Sequence, residues 1–158
     1  YEEAVERYQD IFRECCMYRV EAYEGIGELL EFLKSQGIFI AVLSNKPHPR
    51  TLDNVQGVFG KGYFDLVYGE REDKGIKKKP CPDGVWAIAE ELGLSKSEIL
   101  YLGDTNTDME TGDNAKVDTV GVTWGFRTRE ELMAFHPALI ADHPSQVVQY
   151  IKDVNGIE

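Results

Sequence analysis

The chain has 158 residues, of which 42% are hydrophobic and 28% charged, as is ordinary for a single soluble globular domain. A formal net charge of −11 argues against a surface for nucleic acid or for an anionic membrane. The three cysteines lack the pattern of a disulfide framework or a zinc site, and there is no signal peptide or bilayer-length apolar run, so we expect a reducing, cytoplasmic setting.

The hydrophobic pattern divides the chain into helices that alternate with strands. Apolar residues three to four apart predict helices, and short apolar runs between turn residues predict strands. In chain order the pattern predicts a helix at 1–17, a helix at 25–36, a strand at 38–43, a helix around 49–55, a strand at 65–68, a long polar loop at 69–82, a helix from Pro82 to Gly93, a strand at 99–102, a helix at 107–116, a strand at 117–122, a strand at 139–140 and a helix at 144–154. This alternation is typical of an α/β fold with a parallel sheet. The continuously apolar run at 38–43 is typical of a strand covered on both faces, and the apolar run at 99–102 is typical of a short buried strand.

Polar side chains follow three of the predicted strands. Ser44 comes after the first strand, Lys79 lies in the loop after the second, and Asp104 and Asp108 follow the third. The carboxyl ends of parallel strands meet at one edge of a sheet, so we expect these side chains to lie close together. A hydroxyl, an ammonium and a carboxylate-held Mg²⁺ each stabilise charge on phosphoryl oxygens. The sequence therefore predicts a phosphoryl site at this edge.

Each of these residues also has an ordinary interpretation. A serine after a strand is often a turn residue, and Lys77–Lys79 could be a solvated surface. Asp108 could be a helix N-terminal acid that the helix dipole favours. The combination of all three positions at one edge favours the functional interpretation. For Lys46 and Trp124 the sequence leaves open a solvated or packing role and a role beside the substrate.

Three segments resemble motifs of the haloacid-dehalogenase (HAD) superfamily. The second, third and fourth motifs of this superfamily are resembled, in the correct order, by Val42–Lys46, Lys79–Pro82 and Gly103–Asp108. The residues of these segments are most similar to those of the phosphoglycolate-phosphatase-like branch. The resemblance covers residue 18 to about residue 154, and 121–127 is similar to the turn that follows the fourth-motif helix in that branch. It implies a Rossmann-like, three-layer α/β core around a parallel sheet.

The resemblance also implies a role for each site residue. The phosphoryl group would be transferred to an aspartate, and the aspartyl phosphate would then be hydrolysed. Ser44 and the backbone N–H of Asn45 would bind the transferring phosphoryl oxygens, and Lys79 would offset their charge. Asp104 would ligate Mg²⁺, and Asp108 would be either a second ligand or the acid that orients Lys79.

Part of the family pattern is missing from these residues. The first motif, Asp-x-Asp-Gly-Thr, does not occur, and in the family its two aspartates are the nucleophile and the acid/base. Residues 1–17 resemble the last helix of the family's helical cap, so 18–158 would be a core domain without its first strand. The resemblance places that strand at the centre of the sheet. Two smaller departures are Gly112, where the branch usually has alanine, and Lys116, where it usually has glycine.

The expected function is Mg²⁺-dependent hydrolysis of small phosphorylated metabolites similar to phosphoglycolate, by a monomer or homodimer without nucleic-acid or membrane partners. Within the superfamily, a pyrophosphatase or a phosphohexose mutase is an alternative, because specificity would come largely from the cap. A dehalogenase would not need the metal, so Asp104 and Asp108 count against that activity. The alternative from another class is a catalytically silent HAD-like domain that binds or regulates.

Overall fold

The computed structural model describes residues 20–158, so the helix predicted at 1–17 lies outside the described residues. In chain order the elements are α1 (Ile26–Ser35), β1 (Ala41–Pro47), α2 (His48–Phe59), β2 (Leu66–Glu70), α3 (Asp83–Leu92), β3 (Leu100–Gly103), α4 (Asn106–Ala115), β4 (Asp118–Val122), α5 (Arg129–Met133), β5 (Leu139–Ala141) and α6 (Pro144–Asn155). Single 3₁₀ turns lie at Glu72–Lys74 and Lys96–Glu98. The alternation of strands and helices confirms the α/β class.

The strands form two parallel sheets. One consists of β1 and β2, and the other has the order β3-β4-β5. Within residues 20–158, neither β1 nor β3 has a strand on its remaining edge. An apolar groove of about 330 Å³ lies between these two edges, with walls from β1, β3, α1, α3 and α6. We call this space the inter-sheet groove.

Helices cover both faces of the three-stranded sheet, as alternate residues of β4 show. Val120 and Val122 belong to a hydrophobic core that α1, β5 and α6 complete with Leu29, Ala141, Val147 and Ile151. The residues between them face the other way: a Cβ on Gly121 would lie 3.2 Å from the Leu132 Cβ of α5. Because side chains alternate along a strand, the two sets lie on opposite faces. The arrangement confirms the predicted three-layer, Rossmann-like core.

The strand predicted at 38–43 begins and ends later than expected. It starts at Ala41, because its partner β2 starts only at Leu66 and the Ile40 N–H instead donates to the Asp65 carboxylate at 2.8 Å. Regular pairing stops after Leu43, and the register shifts before the next pair, Pro47 with Glu70. The residues between, 44–46, therefore lie in an irregular segment of the strand, of the kind that can redirect side chains.

The burial expected for the apolar runs at 38–43 and 99–102 is incomplete among the described residues. Phe39 is 51% exposed and Leu102 is 36% exposed. Both residues line the inter-sheet groove, so their apolar character does not correspond to burial among the described residues. An apolar run indicates that a segment can form a buried strand, but it does not indicate whether the neighbouring strands that would cover it belong to the same chain segment.

Other boundaries differ by a few residues. The helix predicted around 49–55 extends to Phe59, whose ring packs against Tyr63 and Phe64, and it ends before Gly60, whose φ is 94°. A φ in this range favours glycine, which explains where the helix stops. Among the helices of residues 20–158, none has both the length and the hydropathy needed to cross a bilayer.

Candidate active site

Lys79 and Asp108 form a largely buried ion pair. The Lys79 Nζ lies 2.6 Å from Asp108 Oδ1, and the two side chains are 15% and 8% exposed. The adjacent lysines differ: Lys77 is exposed, and Lys78 pairs with Glu72 at 3.3 Å on the surface. The structure therefore places the ammonium of Lys79, rather than that of its neighbours, beside the fourth-motif carboxylates.

Both oxygens of Asp108 are engaged. Besides the Lys79 ammonium, Oδ1 accepts a hydrogen bond from the Tyr101 hydroxyl at 3.3 Å. Oδ2 accepts from the backbone N–H of Asp104 and from the N–H and hydroxyl of Thr105, at 3.2, 3.1 and 2.7 Å. Thr105 in turn accepts from the Asp108 N–H, which completes a capping box at the start of α4. Asp108 is thus both a helix N-terminal acid and the partner of Lys79.

The surroundings of Asp108 fix its charge. Burial by itself would raise the pKa of this carboxyl group, but the Lys79 ammonium and the hydrogen bonds from Lys79, Thr105 and Asp104 outweigh burial and lower the pKa. Burial, followed by the charge of Asp108, raises the pKa of the Tyr101 hydroxyl. At neutral pH, Asp108 is therefore a carboxylate, and Tyr101 is a neutral hydrogen-bond donor.

Asn45 contacts the same lysine from the other sheet. Its Oδ1 accepts from the Lys79 backbone N–H at 2.8 Å, and its Nδ2 donates to the Lys79 carbonyl at 3.0 Å. The preceding residue, Ser44, accepts from the Lys46 N–H at 3.1 Å through its hydroxyl oxygen. Ser44, Asn45 and Lys79 line one small cleft. Lys79 therefore connects β1, through Asn45, to α4, through Asp108.

Asp104 lies under the loop that follows β4. Its Oδ2 accepts from the Phe126 N–H at 3.0 Å. A Cβ on Gly125 would lie 2.1 Å from that same oxygen, so only glycine permits the loop to approach this closely. The structure thus places Asp104 beside Asp108 and fixes one of its oxygens.

The structure brings the five predicted residues to one end of the two sheets. A continuous set of contacts runs from Ser44 and its neighbour Asn45 to Lys79, from Lys79 to Asp108, and from Asp108 to Asp104. The edge is the one at which β1 and β3 end, as expected for parallel strands. An ammonium and a hydroxyl at one site can bind an anionic phosphoryl group, whereas the half-buried carboxylate could contribute only by holding a cation.

Comparison with known proteins identifies the family. Residues 1–122 match the model of the haloacid dehalogenase-like hydrolases. The chain belongs to this family. The phosphoglycolate phosphatase of Pectobacterium atrosepticum is 29% identical over 150 residues, which are 95% of this chain and 63% of the relative. The pyrophosphatase PpaX of Listeria welshimeri is 27% identical over 131 residues, which are 83% of this chain and 59% of the relative.

A solved structure of this family has the same fold. The protein from Lactobacillus delbrueckii, which is provisionally described as a phosphoglycolate phosphatase, superimposes with a TM-score of 0.86 at 30% identity. The match covers 93% of this chain and 60% of that protein. The chain thus spans about 60% of the length of the family members it matches here.

The donor set of this HAD-family chain fits Mg²⁺ through Asp104. Mg²⁺ commonly takes one or two protein carboxylates, with phosphate oxygens and water completing its shell. Asp104 is half-buried and offers a carboxylate, whereas Asp108 is committed to Lys79 and to the α4 cap. In the described part of the chain, no group of three or more His, Cys, Asp or Glu residues could hold a metal ion.

Several contacts at this site were not predicted from the sequence. The role of Tyr101 as a hydrogen-bond donor could have been suspected, because its hydroxyl lies within an otherwise apolar run of the sequence. The contacts of Gly125 and of the Asn45 side chain could not be predicted, because the residue type alone does not indicate which group each one contacts. Of the two residues whose roles were left open, Trp124 packs partly buried against the hydrophobic core, and the Lys46 ammonium donates to Asn54 Oδ1 at 3.1 Å.

Proposed function

We propose that the protein carrying this chain is a Mg²⁺-dependent phosphatase that hydrolyses small phosphorylated metabolites through an aspartyl-phosphate intermediate. The observation that carries this proposal is Lys79, whose ammonium is buried against Asp108 and whose backbone bonds to the Asn45 side chain. The family supports a hydrolase, and named relatives are phosphatases. We infer phosphoglycolate-like monoesters as the first substrate class to test.

Each residue has a distinct proposed role. Ser44 Oγ and the Asn45 N–H bind the transferring phosphoryl oxygens, and Lys79 offsets the charge on those oxygens and on the nucleophile. Asp108 orients Lys79, because both of its oxygens are already engaged. Asp104 is the proposed ligand of Mg²⁺, which, when bound, would offset further negative charge on the phosphoryl oxygens.

The attacking aspartate would come from a segment outside this chain. The inter-sheet groove lies between the unpaired edges of β1 and β3, and its walls are apolar. A parallel strand placed there would pair with both edges and would end beside Lys79. We propose that a preceding segment with the Asp-x-Asp-Gly-Thr motif supplies this strand. Residues 18–158 would then be a core domain without its first strand, and 1–17 the last helix of a cap.

A complementation assay tests the mechanism. Residues 1–158 are expressed with and without the upstream segment, and hydrolysis of phosphoglycolate, pyrophosphate and an aryl phosphate is measured with Mg²⁺ and with a chelator. Residues 1–158 alone should be poorly folded and inactive, and the upstream segment should restore folding and Mg²⁺-dependent turnover. Brisk hydrolysis by residues 1–158 alone would require a different nucleophile and would overturn the mechanism.

The same assay separates the alternatives. Preference for pyrophosphate would favour the activity named for the Listeria relative, and turnover of a phosphohexose without net phosphate release would favour a mutase. Phosphate binding without turnover, even with the upstream segment present, would favour a silent binding domain. The groups at the site would then bind an anion without catalysing its transfer.

A further inference from the structure

The backbone of Lys79 is fixed by a single side chain. The amide of Asn45 accepts from the Lys79 N–H at 2.8 Å and donates to the Lys79 carbonyl at 3.0 Å. A side-chain amide ends in an acceptor oxygen and an NH₂ donor group, so one amide can satisfy both backbone groups of one residue. The two bonds together fix the position and orientation of the Lys79 backbone relative to β1.

We propose that Asn45 is a positioning residue that acts on phosphoryl transfer through Lys79, by means of its side chain. This inference rests on the proposed role of Lys79 at the phosphoryl group. The Asn45 side chain is turned to Lys79, so its contribution is separate from that of the Asn45 backbone N–H. Asn45 sets where the lysine stem starts, and Asp108 sets where its ammonium ends.

The surrounding loop explains why such support is needed. Lysine has a flexible four-carbon stem, and ordering it costs conformational entropy. The residues before Lys79 are mostly exposed, including Lys74, Lys77 and Lys78, so they offer little packing to hold the loop. Without Asn45, the ammonium would keep its attraction to Asp108 but would reach it from a variable backbone. A displacement of about 1 Å at a reacting centre can cost about 100-fold in rate.

A second asparagine provides a matched control. Asn114 lies on α4, and its Nδ2 donates to the carbonyl of Pro80 at 2.9 Å. It therefore supports the residue next to Lys79 by one hydrogen bond and forms no hydrogen bond with Lys79 itself. Loss of Asn114 removes a loop contact of similar chemistry while it leaves the Lys79 backbone bonded to Asn45.

A double-mutant cycle tests the route of the effect. Asn45→Ala, Asn45→Asp and Asn114→Ala are made in the protein that includes the upstream segment, each with Lys79 and with Lys79→Met. With Lys79, Asn45→Ala should lower kcat about 10- to 100-fold, with a smaller change in KM, and Asn114→Ala should lower it less than about 3-fold. Asn45→Asp keeps the oxygen that accepts from the Lys79 N–H, but it places a second carboxylate oxygen against the Lys79 carbonyl and adds a negative charge at the site. It should therefore lower kcat at least as much as Asn45→Ala.

With Lys79→Met, Asn45→Ala should cause no further loss of residual turnover or of inorganic phosphate binding. The reason is that residues which act through one group are not additive. An undiminished loss in the Lys79→Met background would overturn the inference, because Asn45 would then act on the phosphate directly or through folding. Circular dichroism of each variant identifies a folding defect, and Asn45→Asp supplies the second variant if Asn45→Ala does not fold.

A measurement independent of turnover separates this inference from the proposed function. A buried, paired lysine ammonium exchanges its protons slowly enough to be observed by ¹⁵N-detected NMR, and Lys79 should give such a signal. Asn45→Ala should broaden or shift this signal, because the ammonium then reaches Asp108 from a variable backbone, and Asn114→Ala should leave it unchanged. An unchanged signal in Asn45→Ala would overturn the inference. If no variant hydrolyses any phosphate ester, the proposed function fails, and the NMR result still decides the role of Asn45.

Discussion

The two sheets are packed to different degrees. On both faces of the sheet of β3, β4 and β5 lie side chains that are completely buried, namely Val120, Leu132, Ala141 and Val147. In the sheet of β1 and β2 with α2, the buried side chains among the described residues include Thr51 and Tyr68. Both carry hydroxyl groups that form hydrogen bonds, to the Lys46 carbonyl and to Glu91. The side chains with no exposure thus lie around the three-stranded sheet, whereas these two buried side chains of the other half also form hydrogen bonds.

The candidate site contains residues from both of these halves. Asp104 and Asp108 belong to the well-packed half, and Ser44 and Asn45 belong to the other. Lys79 joins them, because its backbone bonds to Asn45 and its ammonium to Asp108. A change that loosens either half should therefore reach Lys79.

The largest expected effect is the loss of the Lys79 ammonium. With the upstream segment present, Lys79→Ala should reduce kcat by at least about 10²- to 10³-fold, because it removes a preorganised charge that stabilises the phosphoryl oxygens. Lys77→Ala is the matched control, since Lys77 is exposed in the same loop, and it should change kcat little. Steady-state kinetics on the preferred phosphate ester provide the measurement. Equal losses from both substitutions would refute the assignment of Lys79.

The second effect concerns stability at the junction of the halves. Asp108→Ala should cost about 3–5 kcal/mol of unfolding free energy, because it leaves the buried Lys79 ammonium without its partner. Asp113→Ala is the control on the same helix, and it removes an exposed pair with Lys116 that is worth no more than about 1 kcal/mol. Urea unfolding measures both. A cost for Asp108→Ala similar to that for Asp113→Ala would contradict a buried pair.

The stabilisation by Asp108 should depend on pH in a defined direction. Its pKa is held below the ordinary value of 3.8, so its contribution is present above that value and is lost as pH falls through the lower folded-state pKa. The stability difference between the wild type and Asp108→Asn should therefore be constant near neutral pH and shrink only in strong acid. A difference that already shrinks near pH 6 would mean that another group is responsible.

The sequence predicted much of the site because strand order constrains position. The turn after each parallel strand lies at one edge, so Ser44, Lys79 and Asp104 were expected together from order alone. The partner of the Asn45 amide was not predictable, because it depends on how a long polar loop returns to β1. The exposure of Leu102 does not follow from its apolar run alone, because such a run looks the same with or without the strand that would cover it.

The third effect tests what fills the inter-sheet groove. Leu132→Ala removes a fully buried side chain and should cost about 2–5 kcal/mol. Leu102 lines the groove and is 36% exposed among the described residues, so an open groove predicts a smaller cost for Leu102→Ala. If an upstream strand pairs with β3, Leu102 becomes buried and its cost should reach the range of Leu132. Urea unfolding of the protein with the upstream segment decides between these values, and a small cost would contradict the proposed strand.

The smallest expected effect lies at the end of α4, in the well-packed half. Lys116 has a φ of 60° and a ψ of 47°, the left-handed conformation in which a side chain costs roughly 1–2 kcal/mol. Glycine removes this strain but adds freedom to the unfolded chain, so Lys116→Gly should stabilise the protein by about 0.5–1 kcal/mol. The lost pair with Asp113 is exposed and contributes little.

Glu110→Gly is the matched control, because Glu110 is exposed within the right-handed part of the same helix. There glycine gains no relief of strain, and the substitution should destabilise by about 1 kcal/mol. Opposite signs for two glycine substitutions on one helix isolate backbone conformation as the cause. A loss of stability from both would mean that the contacts of the Lys116 side chain outweigh its strain, and the family's usual glycine would then bring no advantage at this position.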